Sequence, residues 1–142
     1  MNATLEKFGY PATCVYESEH WAVTLRPEQA TLGALMLINK GTARSFGDLA
    51  SDAAEDLPKV ARCIEDALGH LFDHQKINFL MFMMNDPEVH FHVLPRYPEA
   101  KTFADVTFDD PAWPAKPNVD HATAIDDRVR AQLQAAIADA FA

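Results

Sequence analysis

The first part of the chain alternates short apolar segments with polar or turn-forming positions. Residues 13–16, 21–25 and 35–38 are rich in β-branched, aromatic and aliphatic side chains, and a loop over 26–33 separates the last two segments. Side chains of this kind fit the pleated, half-buried surface of a sheet. The pattern therefore predicts three strands before any helix begins.

Two longer segments repeat their apolar positions at helical spacing. From Ser51 to Phe72, aliphatic residues recur every three or four positions, and charged residues fill the opposite face. Pro58 lies within this segment and predicts either a kink or a new helix start. A second amphipathic segment starts near Asp120 and covers residues 122–141. We therefore expect one long central helix and one C-terminal helix.

The segment 85–98 places ionisable side chains at alternate positions of an apolar run. Successive strand side chains point to opposite faces, so Glu88, His90 and His92 would share one face and the apolar residues between them the other. Arg96, near the end of the segment, is predicted either to contact a phosphate or to form a surface ion pair. The segment predicts a strand that is apolar on one side and chemically active on the other.

The regions around this strand complete the predicted fold. Residues 77–84 are almost wholly apolar, which is typical of a strand buried on both faces, and 85–87 would turn it into an antiparallel hairpin with a short loop. Further along, residues 103–108 are predicted as a loop or weak strand and 110–114 as an ordered turn. The order of elements predicts an α+β domain with a mostly antiparallel sheet.

Length, charge and cysteine content narrow the possible functions. The 142 residues, 49% of them hydrophobic, suffice for one domain with its own core. The formal net charge of −9 argues against a nucleic-acid polymer or an anionic membrane as partner. Cys14 and Cys63 form no paired motif and indicate reduced thiols rather than a disulfide framework. With neither a signal segment nor a membrane-spanning stretch recognisable, we expect a soluble cytoplasmic protein.

The histidine strand alone leaves three kinds of site open. Glu88, His90 and His92 could hold a metal ion, although positions on one strand face are about 7 Å apart and the ligands would have to converge by long reach. Alternatively, a neutral imidazole could attack phosphorus while the second histidine donates to the phosphoryl oxygens. In the third alternative, both histidines are hydrogen-bonded at a sheet surface and have no chemical role.

The segment Val89-His90-Phe91-His92-Val93-Leu94-Pro95-Arg96 resembles the signature of the histidine triad (HIT) superfamily, His-φ-His-φ-His-φ-φ. The Fhit-like and Hint-like branches are the most similar. Matching positions upstream are Gly33, the Phe46-Gly47-Asp48-Leu49 element and Asn85, so the resemblance covers roughly residues 13–97. It implies a HIT-like fold.

The resemblance also implies a function. HIT enzymes act on nucleotides at an α-phosphate, as phosphohydrolases or nucleotidyl transferases, through a covalent nucleotidyl-histidine. His90 matches the nucleophile, His92 the histidine that contacts the phosphate, and Asn85 a polar position near it. The implied ligand is a nucleotide or related phosphate-bearing small molecule, and the implied assembly is a homodimer. No metal or other cofactor is expected.

Two departures from the family pattern bear on this function. Glu88 replaces the first histidine of the triad, and a carboxylate there would favour the charged forms of both remaining histidines. Arg26 stands where relatives carry the Asp or Asn that holds the ribose hydroxyls, and predicts an acidic or phosphorylated group on the ligand. The alternative hypothesis is a nucleotide- or phosphate-binding protein with weak or no catalysis, in which Glu88→His restores activity. In either case residues 1–142 are predicted as a single HIT-like domain, with its core over 13–97 and a tail and helix over 98–142.

Overall fold

The strand segments predicted from the sequence form one five-stranded sheet in the computed structural model, which describes residues 2–142. The strands lie in the order β1-β2-β3-β5-β4, and each neighbouring pair is antiparallel. Their bounds are β1 Cys14–Glu17, β2 Trp21–Leu25, β3 Leu35–Asn39, β4 Lys76–Leu80 and β5 His90–Arg96. A separate hairpin of β6 (Lys101–Phe103) and β7 (Val106–Phe108) follows. The predicted α+β class with a mostly antiparallel sheet is confirmed.

Within residues 2–142 three α-helices accompany the sheet: α1 (Ala3–Lys7), α2 (Ser51–Phe72) and α3 (Asp127–Phe141), with a 3-10 turn at Phe46–Asp48. Helix α2 has the predicted bounds and continues through Pro58, so no new helix begins there. Helix α3 begins later than predicted, because the Asp126 carboxylate accepts the Val129 N–H at 2.8 Å and caps it. Helix α1 was not predicted from the sequence.

The two faces of the sheet are covered by different elements. On one face, α2 buries Val60, Ile64 and Leu68 against the apolar side of the strands, and α3 packs on α2 and β1. On the opposite face, Leu5 of α1 packs with strand residues Ala22, Met36 and Ile38. All of β2 and β3 is therefore buried, as expected for strands covered on both faces.

Strand β4 corrects the prediction for residues 77–84. It ends at Leu80 and lies at an edge of the sheet, where Lys76 is exposed and residues 77–80 are half-buried. Met83 then adopts a positive φ of 56°, and Met84 is 83% exposed. The apolar run thus includes a loop beside the sheet, which a strand-length pattern cannot distinguish from a longer strand. The predicted antiparallel pairing of β4 with β5 is confirmed, across a longer loop than expected.

No helix within residues 2–142 combines the length and the apolar character needed to cross a membrane. The cytoplasmic location stays a prediction.

Candidate active site

The register of the sheet brings the two histidines together on the face covered by α1. His90 is paired with Ile38, and His92 with Met36, which is paired in turn with Thr24. Cross-strand partners share a face, so these paired residues form two neighbouring rows that run across the sheet. The two imidazole ring centroids are 5.7 Å apart, with an interplanar angle of 64°. The prediction that both histidines share one strand face is therefore confirmed.

A cavity of about 390 Å³ opens over these rows. Four of the predicted site residues line it, namely Arg26, Asn85, His90 and His92. Glu88, the fifth, is absent from the lining. The rest of the wall comes from α1 and its end, the loop after β2, the loop after β4 and the C-terminal tail: Lys7, Phe8, Pro27, Glu28, Phe82, Met84, Asp86, Val119 and Asp120.

The imidazole of His90 is held in one orientation by the backbone. Its Nδ1 lies 2.7 Å from the carbonyl oxygen of Glu88, and the residue is only 2% exposed. A carbonyl oxygen can only accept a hydrogen bond, so Nδ1 carries a proton, and in the neutral ring Nε2 then holds the lone pair. No residue within 2–142 forms a hydrogen bond with Nε2. The geometry leaves the second nitrogen of the ring free to react.

His92 is neutral near pH 7. Burial lowers its pKa to about 4, the positive charge of Arg26 and the neighbouring His90 act in the same direction, and Asp86 opposes them. Its Nδ1 is buried without a hydrogen-bond partner in the described part of the chain, and the Phe82 ring lies 5.4 Å from the imidazole. The expectation that a carboxylate at 88 would favour charged His92 is therefore wrong. The Glu88 side chain is engaged elsewhere.

The carboxylate of Glu88 faces α1. Its Oε1 accepts the Thr4 N–H at 2.9 Å and the Thr4 hydroxyl at 2.8 Å. Burial alone raises the pKa of this carboxyl, but the Thr4 hydrogen bonds, the backbone N–H of Glu88 itself and the charge of Arg44 together lower it. Glu88 is thus an ionised anchor for α1, and it is not among the residues that line the cavity.

Arg26 buries a positive charge beside the cavity. Its guanidinium donates to the Glu28 carbonyl at 2.8 Å and to the Val119 carbonyl at 2.9 Å, and the residue is 8% exposed. Burial lowers its pKa, while the more distant carboxylates of Glu28 and Asp120 raise it. Within residues 2–142 no carboxylate lies within ion-pair distance of this group. The Val119 contact also attaches the C-terminal tail to the cavity wall.

Asn85 and Lys7 lie at the rim of the cavity. Asn85 is exposed, in the loop between β4 and β5. Lys7, at the end of α1, forms a 2.8 Å ion pair with Asp86. Sequence reasoning missed Lys7 and the tail residues, because five-residue helices carry no periodicity and contacts between distant segments leave no local pattern.

The metal alternative does not fit this arrangement. The Glu88 carboxylate is directed to Thr4, away from the cavity that the two histidines line. Residues 2–142 contain no group of three or more histidine, cysteine or acidic side chains placed to hold a metal ion. The ligand set Glu88, His90 and His92 therefore does not converge on one point.

No family profile and no curated protein matches this sequence. The fold nevertheless matches solved structures over almost its whole length. A histidine triad (HIT) protein from Sinorhizobium meliloti is 16% identical, with a TM-score of 0.74 over 98% of this chain and 94% of that chain. A Hit-like protein involved in cell-cycle regulation from Bartonella henselae is 16% identical, with a TM-score of 0.72 over 98% and 95%. A HIT family protein from Bacillus anthracis is 27% identical, with a TM-score of 0.56 over 61% and 65%. The predicted HIT-like fold is confirmed.

Proposed function

We propose that this chain is a histidine triad enzyme that hydrolyses or transfers a nucleotidyl group through a covalent bond to His90. The HIT-like fold supports nucleotidyl chemistry as the class of reaction. The cavity that His90 and His92 line supports this position as the active site. The observation that carries the proposal is the 2.7 Å contact between Nδ1 of His90 and the Glu88 carbonyl. It fixes the tautomer in which Nε2 is the nucleophile, and it stabilises the positive charge that the ring gains on attack.

The proposed reaction has two steps. The Nε2 lone pair forms a bond to the α-phosphorus while the bond from phosphorus to the leaving group breaks, and the leaving group departs with that electron pair. Water then attacks phosphorus, the electrons of the N–P bond return to Nε2, and the proton of the attacking water is released to solvent. In a transferase, the hydroxyl of an acceptor replaces water in the second step. Neither step requires a cofactor.

His92 and Asn85 are the proposed donors to the phosphoryl oxygens. Both line the cavity beside His90, and His92 has a buried ring nitrogen without a partner in the described residues. A phosphate bound there would satisfy that nitrogen and place negative charge beside the ring. The bound anion therefore raises the pKa of His92 above its value in the free protein, which is about 4.

Binding of a nucleoside 5′-monophosphate is expected to tighten as the pH falls from 7 to 5, by up to about tenfold per pH unit. The complex binds the His92 proton more tightly than the free protein does, so affinity rises below the pKa in the complex. The rise ends near the pKa of about 4 in the free protein. Calorimetry at each pH measures the slope, and His92→Gln controls for titration of the ligand itself. Equal slopes in the two proteins would contradict the role of His92.

Arg26 is the proposed contact for a further anionic group of the ligand. A buried charge with only carbonyl partners is poorly compensated, so a phosphate or carboxylate entering the cavity would be stabilised there. This supports a nucleotide that carries an additional phosphate or carboxylate. It argues against a ligand that offers only ribose hydroxyls at this position.

Mass spectrometry of the intact protein tests the covalent step. The protein is mixed briefly with nucleoside phosphoramidates and dinucleoside polyphosphates, each with and without a further phosphate on the ribose, and quenched at mildly alkaline pH. We expect a mass increase of one nucleotidyl group, absent in His90→Ala and larger in yield for the compounds with the extra phosphate. An adduct that persists in His90→Ala would exclude His90 as the nucleophile. A folded protein with neither adduct nor substrate loss would support the binding-protein alternative.

A homodimer formed through β4 is the proposed assembly. Strand β4 lies at the edge of the sheet, so its outer backbone groups have no strand partner among the described residues. Phe82 and Met84, in the loop that follows, are large exposed apolar side chains. An edge strand of this kind can continue the sheet into a second copy of the chain.

A further inference from the structure

Helix α1 is hydrogen-bonded to the residue whose carbonyl orients His90. Thr4 donates its N–H and its hydroxyl to Oε1 of Glu88, and the Glu88 N–H donates back to Oγ1 of Thr4 at 3.2 Å. The carbonyl oxygen of Glu88 accepts from Nδ1 of His90. Thr4 and Glu88 are 0% and 5% exposed, so these bonds are shielded from water. A continuous set of hydrogen bonds therefore connects Thr4 through Glu88 to His90.

Glu88 needs this support because it lies outside the sheet. Strand β5 begins at His90, and Glu88 belongs to no strand pairing among the described residues. The Val89 N–H donates to the Ala43 carbonyl at 3.0 Å, which holds the far side of the Glu88–Val89 peptide. Thr4 holds the near side through the Glu88 side chain and N–H. The orientation of the Glu88 carbonyl thus depends on contacts with two distant segments.

Helix α1 is itself held in place by its contacts. Five residues are too few for a helix to be stable alone in water. The Asn2 side chain accepts the Leu5 N–H and donates to the carbonyls of Asn39 and Gly41, while Leu5 packs on the sheet. The helix is therefore ordered by the sheet, and it holds Glu88 as part of the same structure.

We propose that Thr4 and Glu88 are positioning residues that hold His90 in the Nδ1–H tautomer. The inference rests on the proposed function, in which Nε2 of His90 is the nucleophile. Glu88 acts as a double acceptor for Thr4, a role that an imidazole at this position cannot fill because a neutral ring has one acceptor nitrogen. This explains how a carboxylate can occupy position 88 while His90 remains active. It also contradicts the hypothesis that Glu88→His would restore a lost activity.

Thr4→Val, compared with Thr4→Ser, tests the inference. Valine keeps the shape of threonine but removes the hydroxyl, which leaves the buried Glu88 N–H without an acceptor, whereas serine retains it. We expect kcat to fall about tenfold in Thr4→Val with KM nearly unchanged, and both to stay close to wild type in Thr4→Ser. Nitrogen-15 NMR of the histidine rings reports the tautomer directly. Wild type and Thr4→Ser should show His90 as Nδ1–H, and Thr4→Val a mixture of tautomers.

Three results would overturn the inference. The first is the finding that His90 of the wild-type protein is in the Nε2–H tautomer. This measurement needs no variant, so it tests the inference even if Thr4→Val does not fold. The second is a Thr4→Val protein with the wild-type tautomer and kcat, and the third is a loss of kcat shared equally by Thr4→Ser. The NMR readout needs no turnover, so the two proposals can fail separately. A tautomer shift without any covalent adduct would reject the proposed function alone, and an adduct with an unchanged tautomer would reject only the positioning role.

Discussion

His90→Gln is expected to lower turnover by at least about a thousandfold while the protein stays folded, because removing the nucleophile of a covalent mechanism costs on the order of 10³ to 10⁶ in kcat. Glutamine is chosen over alanine because its amide N–H can still donate to the Glu88 carbonyl. The buried acceptor therefore keeps a partner, and the loss reports chemistry rather than unfolding. Steady-state turnover of the substrate found by mass spectrometry gives the measurement.

Ligand affinity separates this result from a loss of binding. His92, Asn85 and Arg26 remain in His90→Gln, so the dissociation constant of a nucleotide should change by no more than a few-fold. His74→Gln is the matched control, because His74 is half-buried and lies outside the cavity lining. Turnover within tenfold of wild type in His90→Gln would reject the nucleophile. A loss of both affinity and thermal stability would show only that the residue is structural.

The alternation of side chains along a strand was enough to predict the chemical face of β5. A period of two depends only on backbone geometry, so the placement of His90 and His92 together follows once the segment is a strand. The same argument placed Glu88 with them. Glu88 does contact α1, the helix that covers this face, but the alternation could not show that α1 engages the carboxylate and keeps it out of the cavity lining.

The partner of Glu88 could not be predicted from the sequence. Thr4 lies 84 residues away, in a helix too short to show any periodicity. A local pattern identifies which residues can share a face, but it does not identify which distant segment covers that face. The same limit applies to Val119, which reaches Arg26 from the C-terminal tail. The composition of the cavity wall is therefore a product of the tertiary fold.

The buried ion pair of Arg96 could not be predicted from the sequence either. The sequence predicted a phosphate contact or a surface ion pair, and the structure shows an ion pair that is buried instead of at the surface. Arg96 lies outside the cavity lining and forms a buried ion pair with Asp110, with side chains 4% and 1% exposed. Several acidic residues occur in this part of the chain, and nothing local distinguishes the buried one. Whether Asp110 is buried depends on how the C-terminal tail folds back on β5.

Arg96→Met is expected to destabilise the protein by about 3–5 kcal/mol, because it leaves the buried Asp110 carboxylate without its counter-ion. Nε and one terminal nitrogen of Arg96 donate to the two carboxylate oxygens at 2.6 and 3.0 Å. The guanidinium also donates to Asn78 and to the Ala115 carbonyl, both at 2.9 Å. One side chain thus joins β5, β4 and the tail. Denaturant unfolding at neutral pH measures the change in free energy.

The double variant Arg96→Met/Asp110→Leu provides the control for this prediction. Replacing both charges by apolar side chains leaves no buried charge unpaired, so the double variant should be more stable than Arg96→Met alone. Arg96→Lys should fall between wild type and Arg96→Met, since an ammonium group keeps the charge but cannot form the paired contact with both carboxylate oxygens. An exposed ion pair contributes about 0–1 kcal/mol to stability. If the free energy of unfolding of Arg96→Met lies within about 1 kcal/mol of the wild-type value, the ion pair is therefore solvated rather than buried.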